Sequence, residues 1–159
     1  MEPGAVEIVE ADLSRADQAQ AVVELTDAYC RDPSANGAPL PDDVRERLVA
    51  GLREHPTTLV LLAYIGQRPV GLATCFFGFS TFAARPLVNI HDLAVLVGHR
   101  KLGVGRRLLA AVEEKARSRG CCKVTLEVHD ENHVAKHVYQ SVGFMPGTPV
   151  QHFWSKPLT

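Results

Sequence analysis

No apolar run in this chain approaches the roughly 20 residues a helix needs to cross a bilayer. Met1-Glu2-Pro3-Gly4 lacks the basic-then-apolar profile of a secretory leader, so neither export nor a membrane partner is expected. An excess of charge of one sign is also missing. The formal net charge is −1 with 22% charged residues, whereas a nucleic-acid binder carries a clustered positive excess. Cys30, Cys75, Cys121 and Cys122 contain no C-x-x-C pair, and neighbouring cysteines rarely bridge. They read as reduced thiols of a cytoplasmic protein, three of them buried as apolar filler. His133-Val134-Ala135-Lys136-His137 has the spacing of two metal ligands on a helix but lacks the glutamate of H-E-x-x-H. With no cluster elsewhere to give a third ligand, no metal is expected.

What is present suits one domain over residues 1–159, with 46% hydrophobic residues to build its core. Val6–Ala11 alternates as a half-buried strand does, and Ser14 is placed to cap a helix running to Cys30. The stretch 32–41 is dense in turn formers and long for a connector, which marks it as a candidate binding element. A helix is expected over Asp42–Glu54, ended by His55-Pro56. Thr57–Ile65 and Val70–Phe82 read as a hairpin about Gly66-Gln67, and Val88–Leu96 as another strand. The loop Gly98–Gly105 leads into an amphipathic helix to about Ser118, closed by Arg119-Gly120 and carrying a Glu113–Arg117 pair. Lys123–Val128 alternates again, Asn132–Val142 reads as a short helix, and Gly143–Trp154 as two short strands. The order β α α β β β α β α β β is an α/β (α+β) pattern. It predicts an open mixed sheet of about six to seven strands flanked by about four helices on both faces.

The richest chemistry lies in Val95–Leu108. A buried strand ends, a basic loop with Gly103 and Gly105 turns, and a helix begins. Glycine lets a ligand approach backbone closely, and a helix start offers N–H groups and partial positive charge to phosphate. Arg100, Lys101, Arg106 and Arg107 add cations to the same spot. A dinucleotide fingerprint would need glycine where Leu108 stands, and a P-loop would need G-K-S/T; neither is met. By spacing alone, a glycine turn with solvated basic residues fits as well.

The wider pattern resembles the GNAT superfamily of N-acetyltransferases. Its signature, Q/R-x-x-G-x-G/A between strand and helix, stands here as Arg100-Lys101-Leu102-Gly103-Val104-Gly105, with Lys101 where many members have glycine. A second motif follows in Asn132, Ala135, Tyr139, Gly143 and Phe144. The resemblance implies acetyl-CoA as cosubstrate. Its pantetheine arm would lie along the backbone of Leu93, Ala94 and Val95, and its pyrophosphate on N–H groups of Lys101–Arg106, with Asn132 and Ala135 close to the arm. It implies Tyr139 as the proton donor to the departing thiolate, and His91 or Asp92 as a substrate-site or base residue. Strand alternation would send those two to opposite faces. Acceptor choice would rest in about Tyr29–Leu52, where Asp32, Asp42 and Asp43 offer carboxylates to a cationic amine. Three activities remain open: acetylation of a small-molecule amine, acetylation of a protein, and acyl-CoA binding without catalysis. Val150–Trp154 is apolar enough to permit a homodimer.

Overall fold

A computed structural model describes residues 4–159; the Met1–Pro3 part of the leader reading lies outside the described residues. The chain forms two compact units, the first ending at Leu126 and the second spanning Glu127–Thr159.

The first unit runs β1 (Val6–Glu10), α1 (Ala16–Arg31), α2 (Asp42–Glu54), β2 (Thr58–Ile65), β3 (Arg68–Ser80), β4 (Arg85–Val95), α3 (Val104–Ser118) and β5 (Val124–Leu126). The strands lie in the order β1-β2-β3-β4-β5. The first four are antiparallel, and β5 joins β4 parallel. The mixed open sheet expected from the sequence is therefore present, with five strands among the described residues.

Side-chain alternation gives the sheet two buried faces. On one, Val22 and Leu25 of α1 and Leu52 of α2 pack on Val60, Leu62, Leu72 and Ala94. Each such side chain taken from water contributes about 1.5–3 kcal/mol. The other face carries α3, whose Leu108, Leu109 and Val112 are buried. Gly71 sets how closely α3 approaches. A Cβ there would lie 3.0 Å from the Ala94 carbonyl oxygen and 3.0 Å from Val104 Cγ1.

Several expectations need correction. Ser14 does not cap α1; its N–H and hydroxyl both donate to Asp12 Oδ1, and Arg15 takes the cap position. A local Asx turn has claimed the serine. Strand β5 is only Val124–Leu126, because its pairing with β4 stops at Ile90↔Leu126. Two cysteines, Cys30 and Cys75, are buried rather than three.

The second unit contains α4 (His133–Ser141), and the two strands expected within Gly143–Trp154 are absent among the described residues. Pro146 and Pro149 remove N–H donors that a ladder needs. Val150, Phe153 and Trp154 are exposed, so the apolar pattern that suggested strands has no core to enter. No helix among the described residues is long and apolar enough to cross a membrane.

Candidate functional site

Strand β4 has a partner on both sides only for part of its length. With β3 it pairs from Arg85 to Val95, but with β5 only through Val88–Ile90, where Asn89 Nδ2 donates to Thr125 Oγ1 at 3.1 Å. From His91 to Val95 its outer edge has no strand neighbour among the described residues. The cause lies in register. Thr74 faces Asp92 but Cys75 faces Ile90, so His91 is an extra residue, a bulge. Bulges bend the strand that carries them, and the bend ends the parallel ladder one residue earlier.

The bulge also overturns the alternation argument. Phe76 lies on the α1–α2 face, and His91 meets its ring edge-on with centroids 5.6 Å apart. Thr74, two residues from Phe76 on β3, points the same way, and Asp92 stands opposite Thr74. His91 and Asp92 therefore share one face. His55, the residue just past α2, also meets the Phe76 ring edge-on, with centroids 4.8 Å apart. Burial raises the Asp92 carboxyl above the usual carboxylate range, with His91 pulling the other way. Tyr29 of α1 is raised by burial first and then by the charges of Asp92 and Asp32. Thr74, buried, completes the polar set on this face. An open cleft of about 440 Å³ is lined by Asp12, Arg53, His55 and Thr58 among others; it touches the expected acceptor segment only at Leu52, and none of the expected catalytic or cofactor-binding residues lines it.

Beyond Val95 the chain makes a 3-10 turn, Val97–His99, and reaches α3 through Gly103, which takes the left-handed cap position at φ 80. The first N–H groups of α3 have no acceptor within the helix. A Cβ on Gly105 would find only Val95 Cγ2, at 3.9 Å, so the helix start is open to a ligand. Leu102 is exposed and Val104 is buried against the sheet. Lys101 sits at φ 66, the conformation glycine adopts without strain, which is the physical sense of the glycine many sequences of this pattern carry there.

Two of the four expected cations point elsewhere. Arg107 donates to the Val6 carbonyl and ties α3 to β1. Arg100 donates through Nε to the Val95 carbonyl at 3.1 Å and through Nη2 to Asp32 Oδ2. Asp32, whose side chain is 11% exposed, is held down to about 2, first by Arg100 and then by Ser34. Its carboxylate is thus committed to Arg100 rather than offered to an amine, and Asp43 pairs with Arg47. Cation supply at the loop is thinner than the sequence suggests.

In the second unit Asn132 caps α4, its Oδ1 accepting the Ala135 N–H at 3.1 Å. The helix ends in a Schellman arrangement. Gly143, at φ 97, donates to Gln140, and Phe144 donates to the Tyr139 carbonyl at 3.0 Å. That turn brings the Phe144 ring to 5.9 Å from the Tyr139 ring. The spaced Asn, Ala, Tyr and Gly-Phe motif is thus one cap at each end of a helix that holds a tyrosine. His133 and His137 are exposed.

The family model for the acetyltransferase (GNAT) family matches residues 22–144. The chain belongs to this family. GNAT members are acyl-CoA-dependent N-acetyltransferases. The chain is 26% identical over 106 residues to an uncharacterised N-acetyltransferase, YhfO, of Bacillus subtilis, covering 67% of this chain and 70% of that one. It is 31% identical over 101 residues to the thialysine N-epsilon-acetyltransferase of Mus musculus, covering 58% and 59%. It therefore spans little more than half the length of the latter relative. In fold it is similar to AAC(6')-Iy, solved with the bisubstrate analogue CoA-S-monomethyl-acetylneamine, at a TM-score of 0.78 and 19% identity, covering 97% and 99%. Within this GNAT chain, sequence reasoning missed Tyr29 as a specific site residue, and also Thr74, Phe76 and His55. Nothing local marks them, since the strand register and the α1–α2 packing bring them to His91 and Asp92.

Proposed function

We infer that this chain moves an acetyl group from acetyl-CoA to the amine of a small molecule. The observation that carries the reading is the open start of α3. Gly103 turns the chain there, Gly105 leaves the backbone uncovered, and the preceding edge of β4 has no strand neighbour from His91 to Val95 among the described residues. That arrangement fits a long ligand with a pyrophosphate at one end and amide groups along its arm. Backbone of Leu93–Val95 would take the arm, and N–H groups of Lys101–Arg106 the pyrophosphate. Asn132 and Ala135 keep the supporting role the family motif gives them, with the Asn132 oxygen and Ala135 N–H already joined in the cap. The family match runs from 22 to 144, through both units, which supports treating the whole chain as one acetyltransferase domain.

Acetyl-CoA supplies an activated acyl group. The acceptor nitrogen bonds to the acyl carbon, the carbon–sulfur bond breaks, and the nitrogen gives up a proton while the sulfur gains one. An amine of pKa near 10 is mostly protonated at neutral pH, so a group must accept its proton. His91 and Asp92, on one face, are the residues proposed to receive it, directly or through water. Tyr139 is proposed to protonate the leaving sulfur. Relatives named for thialysine and aminoglycosides support a small, cationic acceptor.

The test is a screen of amines, amino acids and peptides with acetyl-CoA, following thiol release. Tyr139→Phe keeps the ring beside Phe144 and removes only the hydroxyl. It should lower kcat by about 10²-fold or more while leaving the acetyl-CoA Kd unchanged. Binding of acetyl-CoA with no transfer to any acceptor would identify a non-catalytic binder instead.

A further inference from the structure

A long-range ion pair at the α3 loop joins it to the other candidate binding element. Asp32 opens the 32–41 loop, and its two carboxylate oxygens are divided between separate tasks. Oδ1 accepts the Ser34 N–H at 2.8 Å and the Ser34 hydroxyl at 2.7 Å; Oδ2 takes Arg100. Arg100 in turn reaches the last carbonyl of β4, at Val95. The far end of the same loop is pinned too, by the Leu40 N–H donating to the buried Asp27 at 2.9 Å.

We propose that the Asp32–Arg100 pair is a positioning device that fixes the pyrophosphate loop against the acceptor loop, so that Arg100 serves cofactor binding through Asp32 and Val95 and not as a phosphate ligand. This deepens the acetyl-CoA reading and rests on it. Three observations support the assignment. Asp32 is a nearly buried anion held ionised far below neutral pH, and stripping its partner would leave that charge unpaired. The guanidinium is a planar fork, and here its Nε and Nη2 are spent on two groups of this chain. The next residue, Lys101, holds a left-handed backbone that reverses the chain just past that anchor. A loop that must keep strained backbone in register for N–H contacts benefits from an anchor immediately before it.

Asp32→Asn separates the two tasks, because its Oδ1 can still accept from Ser34 while the anion facing Arg100 is gone. Calorimetric titration with CoA should then show a Kd raised about tenfold or more, with Asp32→Glu recovering most of the affinity. Arg100→Gln should weaken CoA to a similar degree, and the double variant Asp32→Asn/Arg100→Gln should be no weaker than either single one. Thermal melts check that each variant is folded; if Asp32→Asn is not, Arg100→Gln and Asp32→Glu read the same link. Unchanged CoA affinity in Asp32→Asn overturns the proposal and leaves the acetyl-CoA reading standing. Tighter CoA binding also overturns it, by making Arg100 a phosphate ligand that Asp32 holds back. Failure of the unaltered chain to bind CoA removes both.

Discussion

Gly71 of β3 is the position where one methyl group reports on the packing that sets the site. Gly71→Ala would place a Cβ 3.0 Å from the Ala94 carbonyl oxygen, 3.0 Å from Val104 Cγ1 and 3.2 Å from Leu108 Cδ1. The first neighbour is strand backbone, which cannot rotate aside, and the other two belong to the opening turns of α3. Overpacking of this kind costs about 1–3 kcal/mol, and alanine in a strand returns roughly 0.5–1 kcal/mol of backbone entropy. Taking the middle of each range, the net loss is about 1 kcal/mol, or a Tm lower by about 2–4 °C for a chain of this size. Because α3 must lift at its N-terminus, CoA affinity should fall as well. Differential scanning calorimetry with and without CoA measures both effects. Gly78→Ala is the control, since its Cβ would meet only the Leu87 side chain, 3.4 Å away at the nearest. A Gly71→Ala variant that melts at or above the parent temperature would refute the claim that this contact sets the helix height.

Other outcomes follow from strain and charge. Lys101→Gly should stabilise the chain by about 0.5–1 kcal/mol in urea unfolding, by releasing the left-handed φ of 66. Asp27, on which Arg31 and Arg45 converge, is held down to about 2, first by Arg31. Its folded-state value lies below the unfolded one, so its contribution is present above about pH 4 and is lost as pH falls towards 2. Asp27→Asn should therefore cost about 1–2 kcal/mol at pH 7 and little at pH 2; an equal loss at both would exclude the ionic origin. Asp92 carries the opposite sign. Burial raises it, so its ionised form disfavours the folded state. Asp92→Asn should increase stability at neutral pH, lose that advantage in acid, and slow acetyl transfer.

The candidate site was legible in the sequence where it rests on local backbone chemistry. Gly103 and Gly105, ahead of an amphipathic helix, announce the loop. Asn132 and Gly143 are a helix cap and a helix stop whose spacing needs no tertiary information. The same holds for α2, which spans Asp42–Glu54 as expected and ends at His55-Pro56. Relations between distant segments were not legible. A one-residue bulge at His91 reverses which face Asp92 occupies, and no residue type there signals it. Asp32 and Arg100 read as two independent ions until the fold brings them together from 68 positions apart. The two short strands expected within Gly143–Trp154 are absent among the described residues, because a strand needs a partner for its N–H and C=O groups that local composition does not supply.

The sequence by itself determined the order of elements as far as the helix that holds Tyr139, together with the phosphate-type turn at Gly103 and the caps of that helix, because each depends on contacts within a few residues. Tertiary structure alone decided that His91 and Asp92 share a face and that β4 parts from β5 after Ile90. It also decided that Arg100 turns towards Asp32, because register, burial and ion pairing are properties of segments that meet only when the chain is folded.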